Sequence, residues 1–260
     1  MATYLDRILL AHREAAALDQ RKLDGLIDRA REQPATRGFR AALRTDDGIS
    51  VIAEIKRRSP SKGDLWADLE PASLAASYER AGAACLSVLT DEQFFGGSVA
   101  DLQAARQAVG LPVIRKDFTV DARDVCDARI MGADCVLLIA AALDDVELAD
   151  FSALAHELGL DVLVEVHDEA ELERALVATR ADLVGVNQRD LVTFEVDTER
   201  AVRVAGHIPG GAVKVAESGV SSPQAAARLA AAGYDALLVG EYLVTAEDPE
   251  RALRALRAGG

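Results

Sequence analysis

Aromatic side chains are scarce. Phe, Tyr and Trp together make up 4% of the chain, while half of all residues are hydrophobic. Any core must therefore be built from aliphatic groups. Positive charge is also in short supply: 29 Lys and Arg face 43 Asp and Glu, a formal net charge of -14. A nucleic acid or an anionic membrane needs a basic face, so neither is expected as a partner. A phosphorylated small molecule stays open, because backbone N–H groups and one local cation can hold a phosphate whatever the global charge. No apolar run reaches roughly the 18 residues of a membrane-spanning helix. The N-terminal stretch MATYLDRILLAHREAAALDQ carries charges throughout and reads as an amphipathic helix rather than a signal peptide, so a cytoplasmic protein is expected. Cys85, Cys126 and Cys135 show no C-x-x-C spacing and read as small buried hydrophobes in a reducing compartment. His12, His156, His167 and His207 are scattered without a metal-binding spacing, so no metal is expected.

What is present is a repeat of pattern. Eight short runs rich in Val, Leu and Ile occur at 51–55, 84–89, 112–116, 134–139, 161–166, 182–187, 212–217 and 235–240. Between them lie helical spacings such as PASLAASYERAG and SPQAAARLAAAG, several ending in Gly. Strands with few polar positions belong in a parallel sheet covered by helices. Eight βα units in one chain of 260 residues predict a closed (β/α)₈ TIM barrel of the α/β class. The rival is an open doubly wound sheet, which usually carries a G-x-G-x-x-G turn after its first strand; none occurs here. One domain is expected over 1–260, with the barrel at 51–260 and a helical extension at 1–45 packed over one mouth.

Active sites of such barrels sit at the C-terminal ends of the strands. There Glu54 and Lys56 end the first run, Lys116 the third, Glu165 the fifth, Asn187 the sixth and Glu217 the seventh. One charged strand end usually means a solvated edge or a structural ion pair. Five ends supplying two lysines, three carboxylates and an amide to one mouth is costly unless the groups serve a function. Lysines and glutamates in one pocket also shift each other's pKa values, which suits acid–base work. The elements Glu217-Ser218-Gly219 and Gly240-Glu241 follow runs seven and eight, where such barrels often bind phosphate. The segment RRSPSKGDLWADLEPAS, with Pro60 and Gly63, is a candidate functional loop and offers Ser59 to an anion. Strand alternation turns Arg115, Lys214 and His167 away from the mouth, and Trp66 reads as a packing residue.

The strings VIAEIKRRSPSKG, LSVLTDEQFFGGS, RKDF, LVEVH, GVNQRDL, AESGV and LVGE occur in this order. Together they resemble the indole-3-glycerol-phosphate synthase family, from the N-terminal helices to the last helix. That resemblance implies ring closure, decarboxylation and dehydration of 1-(2-carboxyphenylamino)-1-deoxyribulose 5-phosphate, without metal or organic cofactor. It implies Lys116 as principal general acid, Glu165 as its acid–base partner and Lys56 near the substrate carboxylate. Glu54 and Asn187 would orient these groups. Ser59, Gly219, Gly240 and Glu241 match phosphate-site positions, and Phe95 and Phe118 match an apolar aryl pocket. Arg189, Glu217 and Ser218 fall on further active-site positions. Lys116 is expected to be made more acidic by burial and by a nearby Lys56. Gln188 and Tyr242 depart from the family's usual residues, which bears on loop packing only. The protein would be a monomer or weak homo-oligomer. Two other readings are a sugar-phosphate isomerase of related fold and a non-catalytic metabolite-binding barrel.

Overall fold

The structure is a computed structural model that describes residues 3–44, 48–59, 62–66, 68–190, 192 and 195–259. Pro60 of the candidate loop lies outside the described residues. Eight strands alternate with helices: β1 (Ser50–Ile55), β2 (Cys85–Leu89), β3 (Val113–Lys116), β4 (Cys135–Ile139), β5 (Asp161–Val166), β6 (Leu183–Asn187), β7 (Val213–Glu217) and β8 (Ala236–Val239). All pair in parallel, and β1 bonds to both β2 and β8, which closes the barrel and excludes the open sheet. The predicted runs fall on these strands to within a residue or two. A small antiparallel hairpin, Arg58–Ser59 against Gly63–Asp64, rises from the loop after β1.

Why strands and helices alternate is visible locally. The strands are runs of β-branched and Leu residues buried along nearly their whole length. Several helices open on a capping side chain just after a strand. Ser98 starts α5 (Val99–Ala108), Asp121 starts α6 (Ala122–Ile130), and Asp168 starts α8 (Glu169–Ala178). Ser222 caps α10 (Pro223–Ala231), with Pro223 in the first helical turn, as the sequence leads one to expect.

Alternation along each strand divides the core in two. Residues such as Val51, Leu86 and Val164 face the helices. Ile52, Cys85, Ile114, Leu137, Leu163, Leu183 and Val215 fill the barrel interior. The three cysteines are buried and unbridged, as expected.

The N-terminal segment does more than cover one mouth. Its α3 (Phe39–Ala42) inserts Phe39 and, just beyond, Leu43 into the interior cluster from below. Backbone N–H groups there find carboxylates at strand starts: Arg37 N to Asp134 at 2.8 Å and Arg40 N to Asp161 at 2.8 Å. By contrast α1 (Tyr4–Leu18) reaches the upper loops, where Arg13 bonds Glu147 at 2.8 Å and Ala142 O at 3.1 Å. Between them α2 (Leu23–Arg31) lies against α6. The extension therefore straps the barrel from floor to mouth. Helical periodicity alone carries no information about which end each helix meets.

Leu43 is fully buried in that floor. Leu43→Ala should leave a cavity between rigid strand ends and lower the unfolding free energy by about 3 kcal/mol. Urea denaturation followed by circular dichroism measures this; a loss under about 1 kcal/mol would mean the floor collapses onto the gap.

Candidate active site

Strand parity sets the site. Above the apolar interior layers, the next inward positions are Glu54, Lys116, Glu165, Asn187 and Glu217, at the upper ends of β1, β3, β5, β6 and β7. Lys56 follows two residues after Glu54 and returns to the same side. These groups line a cavity of about 640 Å³ at the mouth. Ser59, Phe95, Phe118, Arg189, Ser218, Gly219, Gly240 and Glu241 line it too, so the residues expected to act on or bind the substrate are brought to one place.

The charges form two linked sets. Lys56 Nζ sits 2.6 Å from Glu54 Oε1, and the Ser87 hydroxyl donates to Glu54 Oε2 at 3.3 Å. Lys116 Nζ donates to Glu165 Oε2 at 3.1 Å and lies 3.7 Å from Glu217 Oε2. Asn187 Nδ2 donates to Glu165 Oε1 at 3.0 Å, while its Oδ1 accepts from Arg189 N at 3.0 Å. Glu165 and Glu217 are almost wholly buried, at 1% and 2% exposure, so unpaired ionisation of both would be prohibitive.

Their titration reflects this. Burial pushes Glu165 up, but the charges of Lys116 and His167 and the hydrogen bond from Asn187 outweigh it and bring its pKa down to about 2. Glu217 moves the other way: burial and the neighbouring Glu165 raise it well above the usual carboxylate range, against the pull of Lys116. For Lys116, burial favours the neutral amine, yet Glu165, Glu217 and Glu54 prevail and the pKa is raised. This corrects the expectation that Lys56 would acidify Lys116. Lys56 is held by Glu54, and the neighbours of Lys116 are carboxylates. Lys116 is thus held as an ammonium among carboxylates.

Two glycines make room for these groups. A Cβ on Gly185 in β6 would fall 2.0 Å from Glu217 Oε1, and one on Gly240 would fall 2.3 Å from Glu54 Oε1. Gly240 therefore lets the chain after β8 pass directly over the Glu54–Lys56 pair. Ser218 adopts a positive φ of 64°, an uncommon conformation for a residue with a side chain, and turns the chain after β7, the strand next to β8. Near that rim Glu241 bridges two cations, Lys62 at 3.3 Å and Arg189 at 3.9 Å.

His167 is less remote than alternation suggests. Strand β5 ends at Val166, so parity lapses, and His167 Nε2 lies 3.7 Å from Glu165 Oε1 while Nδ1 meets Glu171 at 3.0 Å. Arg115 and Lys214 do turn outward: Arg115 pairs with Asp117 at 3.1 Å, and Lys214 Nζ donates to Ala205 O at 2.8 Å. Trp66 is 39% exposed and does not line the cavity. Reasoning from sequence passed over Asp91, Asp117 and Lys62, which also line it. Asp91 and Asp117 stood inside the quoted strings, two residues past the end of β2 and one past the end of β3, where parity gives no direction.

Fold and site together define a (β/α)₈-barrel enzyme whose mouth holds an acid–base set of two lysines and three glutamates. Comparison with known proteins narrows this. A profile described as "Indole-3-glycerol phosphate synthase" matches residues 5–256, and the chain belongs to that family. A protein named indole-3-glycerol phosphate synthase from Polaromonas sp. (strain JS666 / ATCC BAA-500) is 50% identical over 261 residues, covering 98% of each chain. One of the same name from Paenarthrobacter aurescens (strain TC1) is 52% identical over 231 residues, 89% of this chain and 84% of that one. Among solved structures, a thiamine phosphate pyrophosphorylase from Pyrococcus furiosus aligns with a TM-score of 0.60 at 18% identity, covering 82% of this chain and 96% of that one. At that identity the likeness shows the fold alone. No helix among the described residues is long and apolar enough to cross a membrane.

Proposed function

We propose that this chain is a carboxy-lyase of tryptophan biosynthesis. It converts 1-(2-carboxyphenylamino)-1-deoxyribulose 5-phosphate into indole-3-glycerol phosphate, carbon dioxide and water. The observation that carries this reading is the buried Lys116–Glu165 pair, 3.1 Å apart, in a cavity with a separate lysine on a separate glutamate.

The chemistry needs what these groups offer. As the aryl carbon attacks the ketone, its oxygen gains negative charge and must take a proton. Lys116, held as an ammonium by Glu165 and Glu217, supplies it. Lys56 faces the substrate carboxylate, which leaves as carbon dioxide with its bonding electrons retained by the ring. The hydroxyl then departs from the former ketone carbon while the adjacent methylene, carbon 1 of the sugar chain, loses a proton; together they make the water released, and the aromatic indole results with its N–H retained. Glu165, ionised and oriented by Asn187, is the acceptor for that proton. Phe95 and Phe118, with ring centroids 6.2 Å apart, form the apolar wall for the aryl ring. Ser59, Gly219, Gly240 and Glu241 take the phosphate, the last three through backbone N–H groups, with Arg189 and Ser218 at the rim. Anchoring the phosphate spends remote binding energy on bringing the aryl carbon against the carbonyl.

One chain supplies every group, so a monomer or weak homo-oligomer suffices. The extension and barrel work as one domain over 1–260, in the cytoplasm. The test is an assay of purified protein with the aryl-amino deoxyribulose phosphate, following indole fluorescence with EDTA present. Turnover under these conditions is expected. Failure of folded protein to turn over a substrate it binds would make it a metabolite-binding barrel instead.

A further inference from the structure

The extension approaches the cavity wall at His12, which touches Asp91, Asp117 and Phe118 of its lining. On α1, His12 is largely covered, its side chain 19% exposed. Its Nε2 lies 3.0 Å from Asp91 Oδ2 and 3.8 Å from Asp117 Oδ1. Each of these buried carboxylates has a second task. Asp91 Oδ1 accepts from the backbone N–H of Phe94 at 2.6 Å and of Phe95 at 3.0 Å. Asp117 Oδ1 accepts from the N–H of Phe118 at 2.8 Å, and its Oδ2 takes the Thr90 hydroxyl and Arg115. Phe95 and Phe118 are the two walls assigned to the aryl ring. The His12 ring itself lies 5.5 Å from that of Phe118. A further ring contact, Tyr4 with Phe94 at 5.9 Å, fixes the start of α1 to the same loop. All four carboxylate oxygens thus accept hydrogen bonds, and the three side chains form a clasp.

We propose that protonated His12 is a positioning residue for the aryl subsite: it ties together the two carboxylates that hold Phe95 and Phe118, so substrate binding weakens when His12 loses its proton. This rests on the aryl-substrate reading above. The groups facing His12 are Asp91 after β2, Asp117 after β3 and Asp124 on α6, with Arg115 of β3 as the cation, itself neutralised by Asp117. On α1 the adjacent Arg13 turns away to Glu147. Burial alone pulls the His12 pKa down, but the bond to Asp91 and the charges of Asp117, Asp91 and Asp124 outweigh it, and the pKa is raised. The charged clasp is therefore complete below the ordinary histidine range and is lost as pH rises through the raised value. Neutral His12 keeps one hydrogen bond, to Asp91, and loses its attraction for Asp117.

Steady-state kinetics of wild type, His12→Gln and His12→Ala between about pH 6 and about pH 9 test this, with parallel binding of a substrate analogue whose ketone is reduced to an alcohol. Wild-type KM should rise with pH beyond any rise seen in the variants; comparison with them removes the titration of the substrate phosphate. Both variants should show KM raised roughly tenfold near pH 6 and little slope, with kcat within about twofold of wild type. The analogue's Kd should follow KM. Glutamine can still donate to Asp91, so His12→Gln carries the test if the alanine variant does not fold. KM and slope equal to wild type in a folded variant overturn the proposal, as does a loss confined to kcat. Absence of wild-type turnover and analogue binding would instead sink the functional reading, and this inference with it.

Discussion

Replacing Lys116 with methionine will lower kcat by between about a hundredfold and about ten-thousandfold, the range of a lost general acid. Methionine keeps much of the length and apolar stem of lysine, so the pocket retains its shape. The charge is lost, and with it the ammonium that sits between Glu165 and Glu217. The proposed phosphate contacts come from other loops, and Phe118, two residues beyond Lys116, keeps its backbone anchor to Asp117, so the reduced-ketone analogue should bind within a few-fold of wild type. A loss in kcat with binding retained is the signature of an interaction made in the transition state. Single-turnover kinetics with the analogue as competitor separate the two quantities. A kcat near that of wild type would hand the role of acid to another residue, Lys56 first.

A second large effect is expected at Glu165. Glu165→Gln is nearly isosteric and keeps a partner for Asn187, but it removes the proton acceptor proposed for the dehydration. Turnover should fall by about a hundredfold or more. The pH profile should change as well, and its sign follows from the site. Glu217 is raised partly because Glu165 carries a negative charge beside it. Removing that charge lets Glu217 ionise at lower pH, so the limb of the kcat/KM profile that reports Glu217 should move toward acid. Lys116 loses its nearest carboxylate and should titrate at lower pH too, shifting the alkaline limb in the same direction. An unchanged profile would remove Glu165 from proton transfer.

Much of this was legible in the chain. Runs such as DCVLLI and DVLVEV announce buried strands because a parallel barrel strand is covered on both sides, and their number and spacing leave little but a closed barrel. Parity then points Glu54, Lys116, Glu165 and Glu217 into one mouth, since position along a strand decides direction. The same rule failed where the strand ended: His167 lies one residue past β5 and approaches Glu165 after all. The state of Lys116 could not be read either. It depends on which neighbour lies nearer, and contacts across the barrel are set by register between strands far apart in sequence. His12 left no local trace for the same reason, as its partners lie 79 and 105 positions away along the chain.

The strap formed by α1 to α3 bears on how the chain is made. Its anchors lie far downstream: Arg37 waits for Asp134, Arg13 for Glu147 and Arg40 for Asp161. On a ribosome these helices emerge before the barrel and wait for those three partners on the order of ten seconds at ordinary synthesis rates. The nascent segment must therefore stay soluble alone, which its density of charged residues favours, while Phe39 and Leu43 remain uncovered. The floor finds its last anchor only when the fifth strand has appeared, and β1 then waits again for β8 to close the ring. Assembly of this barrel ends where its sequence begins.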